Sequence, residues 1–173
     1  TPGKSSLVTI RVDNRIKEIN VGPDSHSITD QTQGNWNGIV GKIELQSTPE
    51  VFFEDIQVYP DLAGKKALVR MNVRASSSAK GEIALSARSF NTNVNHEIAP
   101  VYQTVTVRKG DNPLEMELPM GQNFLTWDEF SPALYRLTAT LKNGKQIETK
   151  QVQFGMREFT INGKWFYVNG RKT

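Results

Sequence analysis

Lys65-Lys66-Ala67-Leu68-Val69-Arg70-Met71-Asn72-Val73-Arg74-Ala75 alternates with a period of two. Ala67, Val69, Met71, Val73 and Ala75 share one face, and Lys66, Arg70, Asn72 and Arg74 share the other. One face is therefore dry and the other wet, as expected of an antiparallel sheet over a core. The same reading extends in both directions. Upstream, Val51 to Tyr59 forms a strand that Pro60-Asp61 ends. Downstream, Ser76-Ser77-Ser78 with Lys80-Gly81 makes a turn, and Glu82 to Phe90 places Ile83, Leu85 and Ala87 inward. Val101 to Val107 is another strand and Gly110-Asp111-Asn112-Pro113 another turn. Leu114, Met116 and Leu118 alternate next, then Tyr135, Leu137, Ala139 and Leu141. Asn143-Gly144 turns the chain back through Gln146 to Phe154. About seven short strands over about a hundred residues, separated by turn residues, predict an immunoglobulin-like β-sandwich. Helical periodicity is absent, with room for one short helical turn within Met120 to Phe130.

Ser47-Thr48-Pro49 breaks the pattern and marks a domain boundary. Before it, Leu7 to Val12 and Ile39 to Leu45 read as β-branched-rich strands. Between them lies the polar, irregular stretch Ile16 to Gln33, a length that in compact domains points to function. After the sandwich, Asn162-Gly163 and Asn169-Gly170 each signal a hairpin turn, because Asn-Gly tolerates positive φ at both turn centres. Two strands alone are marginal in water. Phe159, Ile161, Trp165 and Phe166 therefore call for a packing partner, and the segment is expected to enter a further domain beyond Thr173.

The composition is that of an ordinary globular chain: 37% hydrophobic and 23% charged over 173 residues. No apolar run approaches the ~20 residues of a membrane helix; no basic, apolar and small-residue signal pattern opens these residues, but Thr1-Pro2-Gly3-Lys4 reads as a turn between strands and not as a natural start. The net charge of +3 is scattered, with no basic block carrying interleaved aromatics, so neither nucleic acid nor membrane is an expected partner. The absence of cysteine removes disulfides, thiol nucleophiles and thiolate metal sites together. It does not decide the compartment, for which a periplasmic or secreted setting is the expectation.

Chemistry is sparse. Glu44, Glu54, Glu82, Glu115, Glu117 and Glu148 lie on alternating strands and read as solvated face residues. His26 and His96 sit in polar segments. There is no Gly-x-Ser-x-Gly elbow, no zinc spacing and no Asp-x-Asp-x-Asp calcium loop, so no metal and no cofactor is expected. Ser25 to Asn37 is the exception, rich in amides and hydroxyls around Trp36. Such planar polar groups pair with sugar hydroxyls while an aromatic face stacks on the C–H side. The alternative is that Trp36 packs under the strand it precedes and the amides cap turns. Tyr135, just after Ser131-Pro132, has two readings: a tyrosine corner that bonds back across a turn, or an ordinary half-buried aromatic.

Three stretches together resemble glycoside hydrolase family 2, the β-galactosidase, β-glucuronidase and β-mannosidase group. Phe154-Gly155-Met156-Arg157 is similar to the family's Phe-Gly-x-Arg at the end of a small sandwich, with Asn169-Gly170 following toward the catalytic barrel. Ser131-Pro132-Ala133-Leu134-Tyr135-Arg136-Leu137 resembles its Pro-x-Leu-Tyr-x-Leu run. Asn35 to Leu45 resembles the Gly-Ile segment closing its first, sugar-binding-type domain. The resemblance implies an all-β chain in three parts. Residues 1–48 are the C-terminal strands of a jelly-roll-like domain, 49–155 the immunoglobulin-like sandwich, and 156–173 a hairpin leading into an absent catalytic barrel. It also implies that the two working glutamates of a retaining enzyme lie outside these residues, so the chain itself hydrolyses nothing.

By the same resemblance, Asp30, Asn35, Trp36 and Asn37 are candidates for substrate contact. A second acid expected two residues after the first is replaced here by Thr32. Arg157 orders the junction by bonding carbonyls or a carboxylate, and Gly155 permits an unusual backbone angle beside it. The implied partners are the protein's own barrel and, in the full-length protein, a glycan. Readings of other classes remain open on the residues alone: a stand-alone carbohydrate-binding or adhesive immunoglobulin-like module, or a structural linker without ligand.

Overall fold

The alternating segment Lys66–Ala75 is the central strand of one sheet. In the computed structural model, which describes residues 7–13 and 38–173, β1 (Val51–Asp61), β2 (Lys66–Ala75) and β5 (Gly110–Pro119) form an antiparallel sheet in the order β1-β2-β5. The second sheet takes β3 (Ala79–Phe90), β4 (Glu97–Val107), β6 (Leu134–Asn143) and β7 (Gln146–Phe154) in the order β4-β3-β6-β7. All five apolar residues of the β2 stripe are buried, with Ala67, Val69 and Val73 fully so. They face Ile83, Leu85, Leu137, Ala139 and Leu141 from the other sheet, with Met116 and Leu118 completing the core. Two inner faces of alternating apolar side chains thus make a seven-stranded sandwich. Its fourth strand pairs with the third, where the constant-type immunoglobulin arrangement would put it in the first sheet.

The turns differ from expectation in instructive ways. Gly81 lies inside β3, because a Cβ there would stand 2.9 Å from the Lys142 carbonyl oxygen. The glycine serves a close backbone approach and not a bend. Pro113 also lies within a strand, β5, which is an edge of its sheet and so tolerates a residue that cannot donate. At Asn143-Gly144 the ladder continues through Asn143↔Gln146, so the turn centres are Gly144 and Lys145. Only the glycine has positive φ (58°), the signature of a type II′ turn. The stretch from Met120 to Phe130 holds no helix; its regular contacts are isolated bridges, Thr126 to Met156 and Trp127 to Pro132.

Most of the glutamates are on wet faces, where Glu115 pairs with Arg70 and Glu117 with Lys66. Exposed pairs of this kind add little stability. Glu148 departs from the expectation. It is half-buried at the sandwich edge and accepts a hydrogen bond from the Phe53 N–H at 2.8 Å. Lys150, two residues on, donates to the Glu54 carbonyl at 2.8 Å. Both reach a bulge in β1 between Phe53 and Asp55, so β7 fastens the backbone of the opposite sheet. Inward-pointing charges on an edge strand also discourage pairing with foreign strands.

Burial raises the Glu148 carboxyl above its usual value of 4.5, opposed by the Phe53 bond and Lys150. With the folded value above the unfolded one, the native state binds more protons between them, so this group costs stability as pH rises through that window. Glu148→Gln keeps an acceptor for Phe53 and removes the charge. Thermal melts at pH 4 and pH 7 should show the variant gaining on the wild type at the higher pH. A gap that narrows with rising pH would contradict this placement.

The chain divides into two units, Thr1–Gln46 and Ser47–Thr173. In the first unit, no helix or strand occurs among the described residues 7–13 and 38–46. The expected strands Leu7–Val12 and Ile39–Leu45 therefore have no ladder partners among the described residues. Their apolar side chains stand in solvent, Leu7 at 94% and Leu45 at 98% exposure. β-branched composition favours an extended chain, but a strand needs a neighbour to pair with.

Candidate functional site

Past β7 the chain does not leave the sandwich freely. It builds a third small sheet from β8 (Phe159–Asn162), β9 (Trp165–Val168) and β10 (Arg171–Lys172), in the order β10-β9-β8. The Asn169-Gly170 turn has positive φ at both centres, 51° and 75°, the type I′ form that Asn-Gly favours. At Asn162-Gly163 the ladder instead places Gly163 and Lys164 at the turn centres. Phe159 and Phe166 stack with ring centroids 5.5 Å apart. Phe159, Ile161 and Phe166 remain more than half exposed.

Three side chains tie this sheet and the end of β7 to the loop between β5 and β6. Asn169 is the first. Its N–H donates to the Glu158 carbonyl and its Oδ1 accepts from the Glu158 N–H, both at 2.9 Å. Its Nδ2 donates to the Trp127 carbonyl, also at 2.9 Å. The left-handed backbone needed for the turn is one that asparagine tolerates, so a single residue sets the turn and clamps two other segments.

Trp127 is the second. Its N–H donates to the Met156 carbonyl at 2.9 Å. Its ring lies under the Arg157 guanidinium, 4.9 Å from ring centroid to Cζ, and its Cβ and Cγ press against Gly155. A Cβ on Gly155 would come within 2.8 Å of the Trp127 Cβ. Gly155 is not among the positive-φ glycines. Its role is contact and not the unusual backbone angle expected of it. A hollow of about 560 Å3 opens here, lined by Val58, Pro60, Trp127, Gly155 and Arg157.

Tyr135 is the third. It is fully buried and stacks on Phe154 at 5.5 Å. Its hydroxyl accepts from the Leu125 N–H at 2.8 Å and shares a hydrogen with His96 Nδ1 at 2.7 Å. The bond to Leu125 spans the turn ahead of β6, the geometry of a tyrosine corner. Burial raises the phenol above its ordinary value, so it stays protonated at neutral pH.

The loop itself is set by Asp128, whose carboxylate accepts from the Ser131 and Phe130 N–H groups at 2.7 and 2.8 Å. These two bonds, that from Ser131 foremost, hold its carboxyl below the usual range. Arg171 pairs with Glu129 at 2.5 Å and lies over Phe130, fastening β10 to the same loop.

The structure thus brings Tyr135, Gly155 and Arg157 to one region. Asp30, Asn35, Trp36, Asn37 and His26 lie outside the described residues. Sequence reading missed Trp127, Asp128 and the side-chain role of Asn169. For Asp128, the spacing Asp128-Glu129-Phe130-Ser131 ahead of Pro132 was an available signal of a side-chain-capped turn. Among the described residues, no cluster of three or more His, Cys, Asp or Glu side chains is placed to hold a metal ion.

Fold and junction together define an immunoglobulin-like sandwich module with a sheet fastened to its exit. Residues 51–157 match the model of glycosyl hydrolases family 2, and the chain belongs to that family. Over 154 residues it is 27% identical to a β-galactosidase of Aeromonas hydrophila, covering 86% of this chain and 15% of that protein. Among solved structures, a family 2 member from Bacteroides cellulosilyticus superposes with a TM-score of 0.58 at 19% identity, over 72% of this chain and 18% of that one. A β-glucuronidase from Parabacteroides merdae superposes with a TM-score of 0.52 at 26% identity, over 72% and 16%. The chain therefore spans about a sixth of the length of each of these relatives.

Proposed function

We propose that this chain is the non-catalytic β-sandwich region of a retaining, β-galactosidase-like glycoside hydrolase. In this reading it holds a preceding sugar-binding-type domain against a catalytic barrel, and hydrolysis of O-glycosidic bonds is carried out by two barrel glutamates about 5 Å apart. The observation that carries the proposal is the junction. Asn169, Trp127 and Gly155 fix the chain leaving β7 to a loop of the sandwich, so whatever follows is oriented by a packed core and not by a flexible linker. The exposed apolar side chains of β8 and β9 suit a surface that the rest of the protein covers. Asp30, Asn35, Trp36 and Asn37 are then the residues proposed to reach the substrate from the first domain.

The test is turnover of p-nitrophenyl β-galactoside and β-glucuronide. The natural polypeptide that carries these residues should hydrolyse one of them, and the 173-residue chain alone neither. Turnover by the chain alone, or none by the natural polypeptide on any β-glycoside, overturns the proposal.

A further inference from the structure

Arg88 on β3 and Arg136 on β6 stand directly opposite each other in the antiparallel register, on the outer face of the four-stranded sheet. Like charges so placed destabilise a strand pair. Glu97 of β4, opposite Arg88 on its other side, lies 3.3 Å from the Arg88 Nε. The one carboxylate in this row is thus taken by Arg88. Among the described residues no ion pair engages Arg136; its guanidinium lies over the Phe90 ring at 4.9 Å.

The neighbouring rows are uncharged and polar. Ser86, Thr138 and Gln151 stand side by side across β3, β6 and β7, with Gln151 Nε2 3.4 Å from Thr138 Oγ1. One row further, Thr140 and Thr149 lie beside Ala84, and Tyr102 of β4, opposite Ala84, is 64% exposed. A bulge in the β3–β4 pairing between Leu85 and Ala87 bends the edge strand at Ala99-Pro100. The bend leaves a hollow of about 770 Å3 bordered by Arg88, Glu97, Pro100, Arg136, Thr138 and Gln151.

We propose that this face binds a carboxylated polysaccharide, a chain of uronic acid residues. The proposal does not depend on the junction or on the activity assigned above. A planar guanidinium fork matches a carboxylate in bidentate fashion, and Arg136 is the fork still open. The hydroxyl and amide rows pair with ring hydroxyls, while Phe90 and Tyr102 offer aromatic surface at either end of the strip. An acidic peptide would engage the arginines but leave the hydroxyl rows unused. A nucleic acid needs a denser positive field than two arginines, one of them already paired with Glu97.

The experiment is calorimetric titration of the full chain with trigalacturonate, its neutral galactose counterpart, a heparin-derived tetrasaccharide and hexaglutamate, at low and at physiological salt. Trigalacturonate should bind at least about tenfold tighter than the neutral sugar, and Arg136→Gln should remove that margin, as expected for loss of a charge-assisted bond. Arg136 is exposed and faces the like charge of Arg88, so the variant's melting temperature should be no lower than the wild type's. Amide shifts of Ser86, Thr138 and Gln151 on titration locate the ligand independently of any variant. Equal binding of the neutral sugar, an unaffected Arg136→Gln, shifts elsewhere, or no binding overturns the proposal. Tighter binding of the sulfated sugar or of the peptide reassigns the ligand and overturns it equally.

Discussion

Gly155→Ala should destabilise the sandwich by about 1–3 kcal/mol, the usual cost of forcing a methyl group into packed space. The new Cβ would stand 2.8 Å from the Trp127 Cβ and 3.0 Å from its Cγ. Gly155 is not among the positive-φ glycines, so the cost is steric and not that of a left-handed backbone. Trp127 cannot simply swing aside. Its N–H is bonded to the Met156 carbonyl, its carbonyl is bonded by Asn169, and its ring carries the Arg157 guanidinium. The strain therefore spreads into the exit from β7. Urea denaturation measures the loss, and tryptophan fluorescence should shift toward the solvent-exposed value before global unfolding. A neutral Gly155→Ala would mean that the contact with Trp127 yields cheaply.

Tyr135→Phe should cost about 1–3 kcal/mol, because it strands the Leu125 N–H in a part-buried site. The ring is retained, so its stacking on Phe154 and its burial hardly change. The loss belongs to the hydroxyl alone, which joins Leu125 of the loop and His96 ahead of β4. The same urea experiment reads the global effect. Faster amide exchange at Leu125, with the interior of β6 unaffected, separates the local contribution from general loosening. A loss under about 0.5 kcal/mol would mean that water takes over the bond.

The sandwich was legible because its strands are amphipathic. Ala67 through Ala75, Ile83 to Ala87 and Tyr135 to Leu141 repeat every second residue, and each face found the neighbour that the repeat implies. What was hidden has a common cause: the deciding contact is between residues far apart in sequence. Gly81 reads as a turn until Lys142 is seen against it, and Gly155 reads as a special backbone angle until Trp127 is seen beneath it. Glu148 reads as a wet face residue until the bulge at Phe53 offers it an N–H. The turn at Gly163-Lys164 sits one residue beyond the Asn-Gly pair because β8 keeps Asn162 in its ladder with Trp165. At the junction, the resemblance to the family's Phe-Gly-x-Arg pointed to Gly155 and Arg157, and the place just after Ser131-Pro132 pointed to Tyr135. Trp127 was silent, since a lone tryptophan in an irregular loop has no periodicity to betray its partners.

The sandwich holds the exit from β7 and the terminal sheet as one piece. Amide hydrogen exchange at Trp127, Glu158 and Asn169 tests it most directly, because these N–H groups make the bonds that join the three segments. They should be protected nearly as long as the amides of β6, and should exchange together. Exchange at open-chain rates while β6 stays protected would contradict it, leaving the terminal sheet a loose appendage on a stable sandwich.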